Sequence, residues 1–330
     1  MPEVVNAAVL YASPFVPPEW IDAHRMKPVR VMPDATDKSP SRDVSAGVCP
    51  YARAFSSAVA NEPGASVIVD TLCDQMRRYS ELIGAESGKR IFLMNVPRTW
   101  ETPAANKLYI DELRRLGRFL VTLGGETPSD EKLVRTILRW DAARSTIFDA
   151  RSSITPREFA EAWAQFGRTG EPIIPPSKSI GSRVGIPLAL VGGPMLSEHF
   201  RIFDLIRQSG GFVALDATST GERSIPGKID RRRVREDALQ TLADAYFGTI
   251  PDAARRPNSM LYRWLKDRIA EEGIRGVIFL RYVWCDTWHA EAQRMKDWLG
   301  LPFFDLDISE DVGDASRRLT RFQAFMEMLR

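Results

Sequence analysis

Two distant stretches of the chain, ASVIVDTLCDQMRRYSELIG (65–84) and RGVIFLRYVWCDTWHAEAQRMKDWLG (275–300), follow one plan: an apolar run, Cys-Asp, an amphipathic stretch and a glycine. An apolar run without polar alternation suits a strand buried on both faces, as in a parallel sheet. Parallel neighbours need a crossover, usually a helix. A second pair repeats the pattern, AVLYASPFVPPEWIDAHRMKPVRV (8–31) against LALVGGPMLSEHFRIFDLIRQSGGFVAL (188–215). Further strand-like runs are KPVRVMPD, KRIFLMNVP, FVALDATSTGE and LPFFDLD. EWIDAHRM, CPYARAFSSAVA and the closing RRLTRFQAFMEMLR carry helical spacing. Strands alternating with helices predict βαβ units. The repetition predicts an internal duplication: two open α/β domains.

Between them the period changes. NKLYIDELRRLGRFLVTLGG, DEKLVRTILRWDAARSTIFDARSS and TPREFAEAWAQFG have apolar residues at helical spacing. TPSDE and SSITPRE are helix-start signals. The expected organisation is an N-terminal α/β domain over 1–105 with Cys49 and Cys73, a helical segment and linker over 106–182, with 171–183 as the linker, and a C-terminal α/β domain over 183–330 with Cys285.

Apolar residues make up 44% and charged residues 27% of the 330, and the net charge is +2 with both signs interspersed. That is an ordinary globular composition and offers no field for nucleic acid. RRRVR at 231–235 reads as a solvated loop or helix start, with a phosphate contact as the alternative. No apolar stretch reaches the length of a membrane span, and MPEVVNAAVLYASPF does not read as a signal peptide. Three cysteines do not make a secreted disulfide framework. The expected compartment is reducing, the cytoplasm.

In an open parallel sheet, ligands bind beyond the carboxyl ends of the strands. Cys73 and Cys285 both fall there, one in each predicted domain, and Cys49 directly precedes a helix, where backbone N–H groups favour a thiolate. From spacing alone the three are either small buried hydrophobes or a converging ligand set. Three thiolates without a histidine suit zinc poorly and an iron–sulfur cluster better. On a four-iron cube they leave one iron open as a Lewis acid.

Other motifs carry less. GERSIPGK (221–228) has five residues between its glycines where a phosphate loop has four, and Ile229 stands where Ser or Thr is needed. No dinucleotide fingerprint or nucleophile elbow is present. His24 reads as a helix-surface residue. His289, four residues after Cys285, is a candidate for acid–base work. Asp74 and Asp286 read as helix caps, and Trp284 with Trp288 as core packing.

VPPEWIDAHRMKPVRV, GVCPYARAF, DTLCDQMRR, WCDTWHAEAQRMKDWLGLPFFDLD and LTRFQAFMEML resemble the 2-hydroxyacyl-CoA dehydratase and benzoyl-CoA reductase family, in particular the D-component-like subunits of 2-hydroxyglutaryl-CoA dehydratase. The resemblance runs from about residue 8 to the C-terminus. The family's cluster-binding cysteines, in a CPY or CSY loop, a strand-end CD and a late CD, fall on Cys49, Cys73 and Cys285, all the cysteines of the chain. The resemblance implies two flavodoxin-like domains with a three-cysteine [4Fe–4S] cluster, and a related subunit as heterodimer or homodimer partner. It also implies an ATP-hydrolysing iron–sulfur activator that injects one electron, so that an (R)-2-hydroxyacyl-CoA loses water through a ketyl radical. The alternatives it leaves open are an aryl-CoA reductase subunit of benzoyl-CoA reductase type and a non-catalytic [4Fe–4S] electron relay. Ser13 and Glu19 lie where family members build part of the substrate cleft and are expected site residues with His289. No nucleic acid and no membrane are expected as partners.

Overall fold

Each apolar run followed by its own amphipathic stretch becomes a strand and its crossover. The computed structural model describes residues 7–34, 47–176, 183–308 and 315–330. Among these, β1 (Ala8–Tyr11), β2 (Lys27–Arg30), β3 (Ser66–Asp70) and β4 (Ile91–Met94) form one all-parallel sheet in the order β2-β1-β3-β4. β5 (Ile186–Gly192), β6 (Gly211–Ala217), β7 (Gly276–Tyr282) and β8 (Phe303–Ile308) form a second in the order β6-β5-β7-β8. The topologies are identical, as expected from a duplicated open α/β unit. In each sheet the strand order reverses beside the first strand, which opens a crevice at the carboxyl ends of β1 and β3 and of β5 and β7. β3 and β7 are buried at every position, as their unbroken apolar runs require.

The helices follow local signals. α1 (Pro18–Ala23), α2 (Pro50–Ala60), α4 (Pro103–Thr122) and α6 (Pro156–Thr169) all start with proline in the first turn. α6 adds a full capping box between Thr155 and Glu158. α3 (Asp74–Ser87) and α11 (Asp286–Leu299) end on left-handed glycines, Gly88 and Gly300. α5 (Asp130–Asp149), α7 (Arg201–Gln208), α8 (Arg233–Glu236), α9 (Ala238–Tyr246), α10 (Ser259–Glu271) and α12 (Ala315–Met328) complete the set. RRRVR lies at the start of α8, exposed apart from Val234, as a solvated helix start. No helix among the described residues is long and apolar enough to cross a membrane.

The helical segment caps the first sheet. α1, α4, α5 and α9 bury one core with β1 and β4, including Ile21, Leu113, Leu116, Ile137 and Leu242. Helix α9 comes from the second half of the sequence, so the halves interlock. The sequence reading assigned neither α9 nor α10, although SMLYRWLKDRIAE carries helical spacing. Part of the proposed linker (177–182) and most of the loop before Cys49 (35–46) fall outside the described residues.

A single arginine fixes the crevice of the second sheet. Arg223, wholly buried, donates from Nε to Ala217 O (3.0 Å), from Nη2 to Gly192 O (3.0 Å) and from Nη1 to Pro251 O (2.7 Å) and Asp252 Oδ2 (2.8 Å). It thus ties the ends of β5 and β6 to the segment after α9. Arg223→Met would leave the Asp252 carboxylate and three carbonyls without this donor. The expected loss is about 3–5 kcal/mol, read as a lower urea midpoint with an unchanged slope.

Candidate functional site

Cys49, Cys73 and Cys285 each occupy the N-cap position of a helix, α2, α3 and α11 respectively. The carbonyl of each accepts the first intrahelical bond: from Arg53 N (3.1 Å), Arg77 N (2.9 Å) and His289 N (2.8 Å). An N-cap side chain lies beside the unpaired amides of the helix's first turn. The usual occupants are Ser, Thr, Asp and Asn; here it is a thiol three times. Asp74 and Asp286, expected as caps, instead stand one position later, inside the first turn.

Burial dominates the acidity of these thiols. It pushes Cys49 up to about 11, opposed in part by the amides of Ala52 and Tyr51. It pushes Cys73 up to about 12, opposed by those of Met76 and Gln75, and Cys285 up to about 12, opposed by that of Trp288. Each sulfur also feels another: Cys73 acts on Cys49, Cys285 on Cys73, and Cys49 on Cys285. The two sheets therefore bring all three within electrostatic reach of one another. Tyr51, Leu196 and Tyr282 pack around Cys49 and Cys285, with Met76 and Ile308 at the edge. The Tyr282 hydroxyl accepts from Leu196 N (3.1 Å) and pairs with His199 Nδ1 (3.1 Å). Burial holds His199 neutral, down to about 4.

The donor set is soft and apolar-walled. Among the described residues no group of three His, Cys, Asp or Glu side chains is arranged around a single metal ion. An iron–sulfur cube takes each thiolate on a separate iron, a wider arrangement, and helix N-termini stabilise thiolates. The residues present fit such a cluster and do not fit a closed zinc site.

Beside the thiols, Asp70 ends β3 with its carboxyl buried; burial raises its pKa, while hydrogen bonds from Ser13, Leu72 N and Cys73 N oppose the shift. Ser13 also accepts from Phe15 N (3.2 Å) and lines a cavity with Tyr11, Arg30, Arg144 and Tyr246. Glu19 is fully buried behind that cavity. It accepts from an Arg144 terminal nitrogen and from Tyr246 OH (2.7 Å). Ser13 and Glu19 thus meet around one cavity, Ser13 on its wall and Glu19 holding two of its wall residues.

A family model, 2-hydroxyglutaryl-CoA dehydratase, D-component, matches residues 14–329. The chain belongs to this family. It is a dehydratase-type subunit of the lyase class, and such D-components act with partner components. No curated protein matches it.

In this D-component chain His289 is exposed in the first turn of α11, with no side-chain hydrogen bond or ion pair among the described residues. His24, expected on a helix surface, is 2% exposed, with Nδ1 at 2.7 Å from Trp20 O and its ring packed edge-on against Trp20. The α4 and α5 layer covers it. Trp288 is core, but Trp284 is 48% exposed. The loop after β6 is built into the fold: Thr218 bonds Asp216, and Thr220 Oγ1 accepts from Met195 N. Sequence reasoning missed Asp70, Arg30, Arg144 and Tyr246. Asp70 had a signal, an acid closing the apolar run VIVD; the arginines had none.

With thiol pKa values raised above that of an exposed cysteine, the neutral thiols stabilise the metal-free fold fully below about pH 8.5. That contribution is lost as pH rises toward 11–12. Alkylation of the metal-free chain at pH 8 is expected at least about tenfold slower than for an exposed cysteine, and to accelerate with pH. Mass spectrometry of iodoacetamide labelling across pH 7–10 checks both.

Proposed function

We propose that this chain is the iron–sulfur subunit of an (R)-2-hydroxyacyl-CoA dehydratase-like enzyme, with Cys49, Cys73 and Cys285 as ligands of a [4Fe–4S] cluster. The observation that carries the reading is that three helix N-caps from two sheets are each occupied by cysteine, with Cys49 and Cys285 in one apolar cluster and Cys73 within electrostatic reach of both. A cluster held by three thiolates supplies a low-potential electron and one iron not bound by cysteine. In the proposed reaction an ATP-hydrolysing activator is the source of that electron. One-electron reduction of the thioester carbonyl gives a ketyl, hydroxide and then a C3 proton leave, and the resulting radical gives the electron up again, so that a neutral 2-enoyl-CoA results. A related subunit completes the enzyme in a reducing, cytoplasmic setting.

The chain's own residues have assignable tasks in this scheme. The first-turn amides of α2, α3 and α11 stabilise thiolates once their protons leave. Tyr51, Leu196 and Tyr282 exclude water. Asp70, a buried carboxyl at the end of β3 whose pKa burial raises, lies beside Cys73 and accepts from Ser13.

Iron and acid-labile sulfide are measured after anaerobic purification and reconstitution. About four irons per chain are expected, falling sharply in Cys285→Ser. Dehydration of (R)-2-hydroxyacyl thioesters should then require the activator, ATP and the partner. No iron after reconstitution would remove the reading.

A further inference from the structure

The Tyr282 hydroxyl is a buried polar group in the wall of the thiol site. Tyr282 ends β7, is 1% exposed, and shares one apolar cluster with Cys49, Tyr51 and Cys285. Negative charge on Cys49 disfavours ionisation of this hydroxyl, so the two are within electrostatic reach. Its oxygen accepts from Leu196 N (3.1 Å) and lies 3.1 Å from His199 Nδ1. The hydroxyl proton therefore has two directions open to it, toward the imidazole or toward the sulfurs.

The imidazole decides between them. A neutral ring carries one N–H, and its two nitrogens take opposite roles. His199 sits in the turn Ser197–Phe200 after β5 and is 8% exposed. Burial, with Arg201 and Arg318, keeps it neutral, and Asp34 opposes this only in part. Its Nε2 stands 3.2 Å from Glu198 Oε1. A bare Nε2 would set its lone pair against a carboxylate, so the ring proton belongs on Nε2, facing the negative oxygen. Nδ1 is then an acceptor, and the tyrosine hydroxyl is its donor. The turn is also held from the other side: Ser197 N donates to Pro33 O (3.0 Å) and Ser197 Oγ to Asp34 Oδ2 (2.7 Å). The imidazole is thereby fixed to the segment after β2 as well as to β7.

We propose that His199 is a positioning residue: by accepting the Tyr282 proton it keeps that hydroxyl turned away from Cys49 and Cys285 and withholds a hydrogen bond from their sulfurs. Hydrogen bonds to its sulfurs help set the reduction potential of an iron–sulfur cluster. A donor favours the form with more negative charge, which is the reduced one. Withholding a donor keeps the potential low, as suits a centre that passes an electron to a thioester. As a device for the potential the inference rests on the cluster reading; the direction of the hydroxyl does not.

The first test uses the metal-free, full-length chain labelled with nitrogen-15, whose three histidines are told apart by single substitutions. At pH 7 the His199 nitrogens are expected to report a neutral ring protonated at Nε2, with Nδ1 as acceptor. A charged ring, or a proton on Nδ1, overturns the proposal. The second test is the one-electron midpoint potential of the reconstituted chain, from a titration with dithionite and mediators followed by EPR. In His199→Phe the hydroxyl loses its acceptor, and thiolates are the strongest acceptors left in its cluster. The reduction equilibrium is expected to shift toward the reduced form by about tenfold, a rise of about 59 mV for one electron. Tyr282→Phe, alone or combined with His199→Phe, is expected to stay at the wild-type value, which ties the rise to the hydroxyl rather than to the lost ring. No rise in His199→Phe, the same rise in the double variant, or a fall in Tyr282→Phe removes the tuning while the cluster stands. If His199→Phe does not hold iron, Tyr282→Phe decides: an unchanged potential supports the proposal and a fall overturns it. Absence of iron from the wild-type chain removes the cluster reading and the tuning with it, and the ring nitrogens still show where the hydroxyl points.

Discussion

Three helices begin at one place, and the residue that begins each is a cysteine. Much of the architecture serves that convergence. A helix N-terminus presents amides and partial positive charge, so three together form a place that stabilises negative sulfur. The same place is apolar and largely closed to water, which favours neutral thiols. The two tendencies oppose each other in the metal-free chain, and burial prevails. A bound cation reverses the balance, since it replaces the protons and makes the dipoles and the sulfurs act together.

The seam between the sheets needs a rigid frame for this to hold. Cys49 and Cys73 hang from the first sheet and Cys285 from the second, so a small shift between them separates the sulfurs. Three features resist it. Tyr282 of β7 packs with Tyr51 of α2 at a ring separation of 6.4 Å. Arg30 of β2 reaches across to the loop after β6 through Ser219 O and Ser224 Oγ. Tyr246 of α9 donates to Glu19 of α1, tying the late helix to the first domain's face. Each is a polar or aromatic contact across the seam, and each borders either the thiols or the cavity.

How much of this was legible in the sequence depended on range. The runs VIVD and GVIFL named their strands because a strand buried on both faces has little choice of residue. Gly300 named the end of α11, whereas Gly84, read as the end of the earlier helix, lies inside α3, which runs on to Gly88. The duplication followed from Cys-Asp recurring at the same point, and the identical strand orders agree with it. Helix α9 was lost because its apolar face meets α4 and α5, elements distant in sequence. His24 was misplaced for the same reason: an exposed-looking turn is covered by the helical layer. Glu19 could be named only through family resemblance, since nothing local joins it to Arg144 and Tyr246. Arg30 and Arg144 were beyond reach, because their partners, Ser219 and Ser224 for one and Glu19 for the other, are distant in sequence.

The duplication also explains why the thiols number three. A fully symmetric pair of domains would place a cysteine after the second strand of each sheet as well as after the third, giving four. In the first sheet Cys49 follows β2. In the second, the segment after β6 makes a tight self-bonded turn, with Thr218 and Thr220 hydroxyls 3.1 Å apart and Thr218 held by Asp216. Gly221 lies so close to the Asp216 carboxyl that a Cβ there would stand 2.1 Å from it. Arg223 then fills the space under the strand ends and lies over the Trp288 ring at 4.9 Å. At the place that corresponds to Cys49 the second half has instead a buried arginine that fixes its crevice.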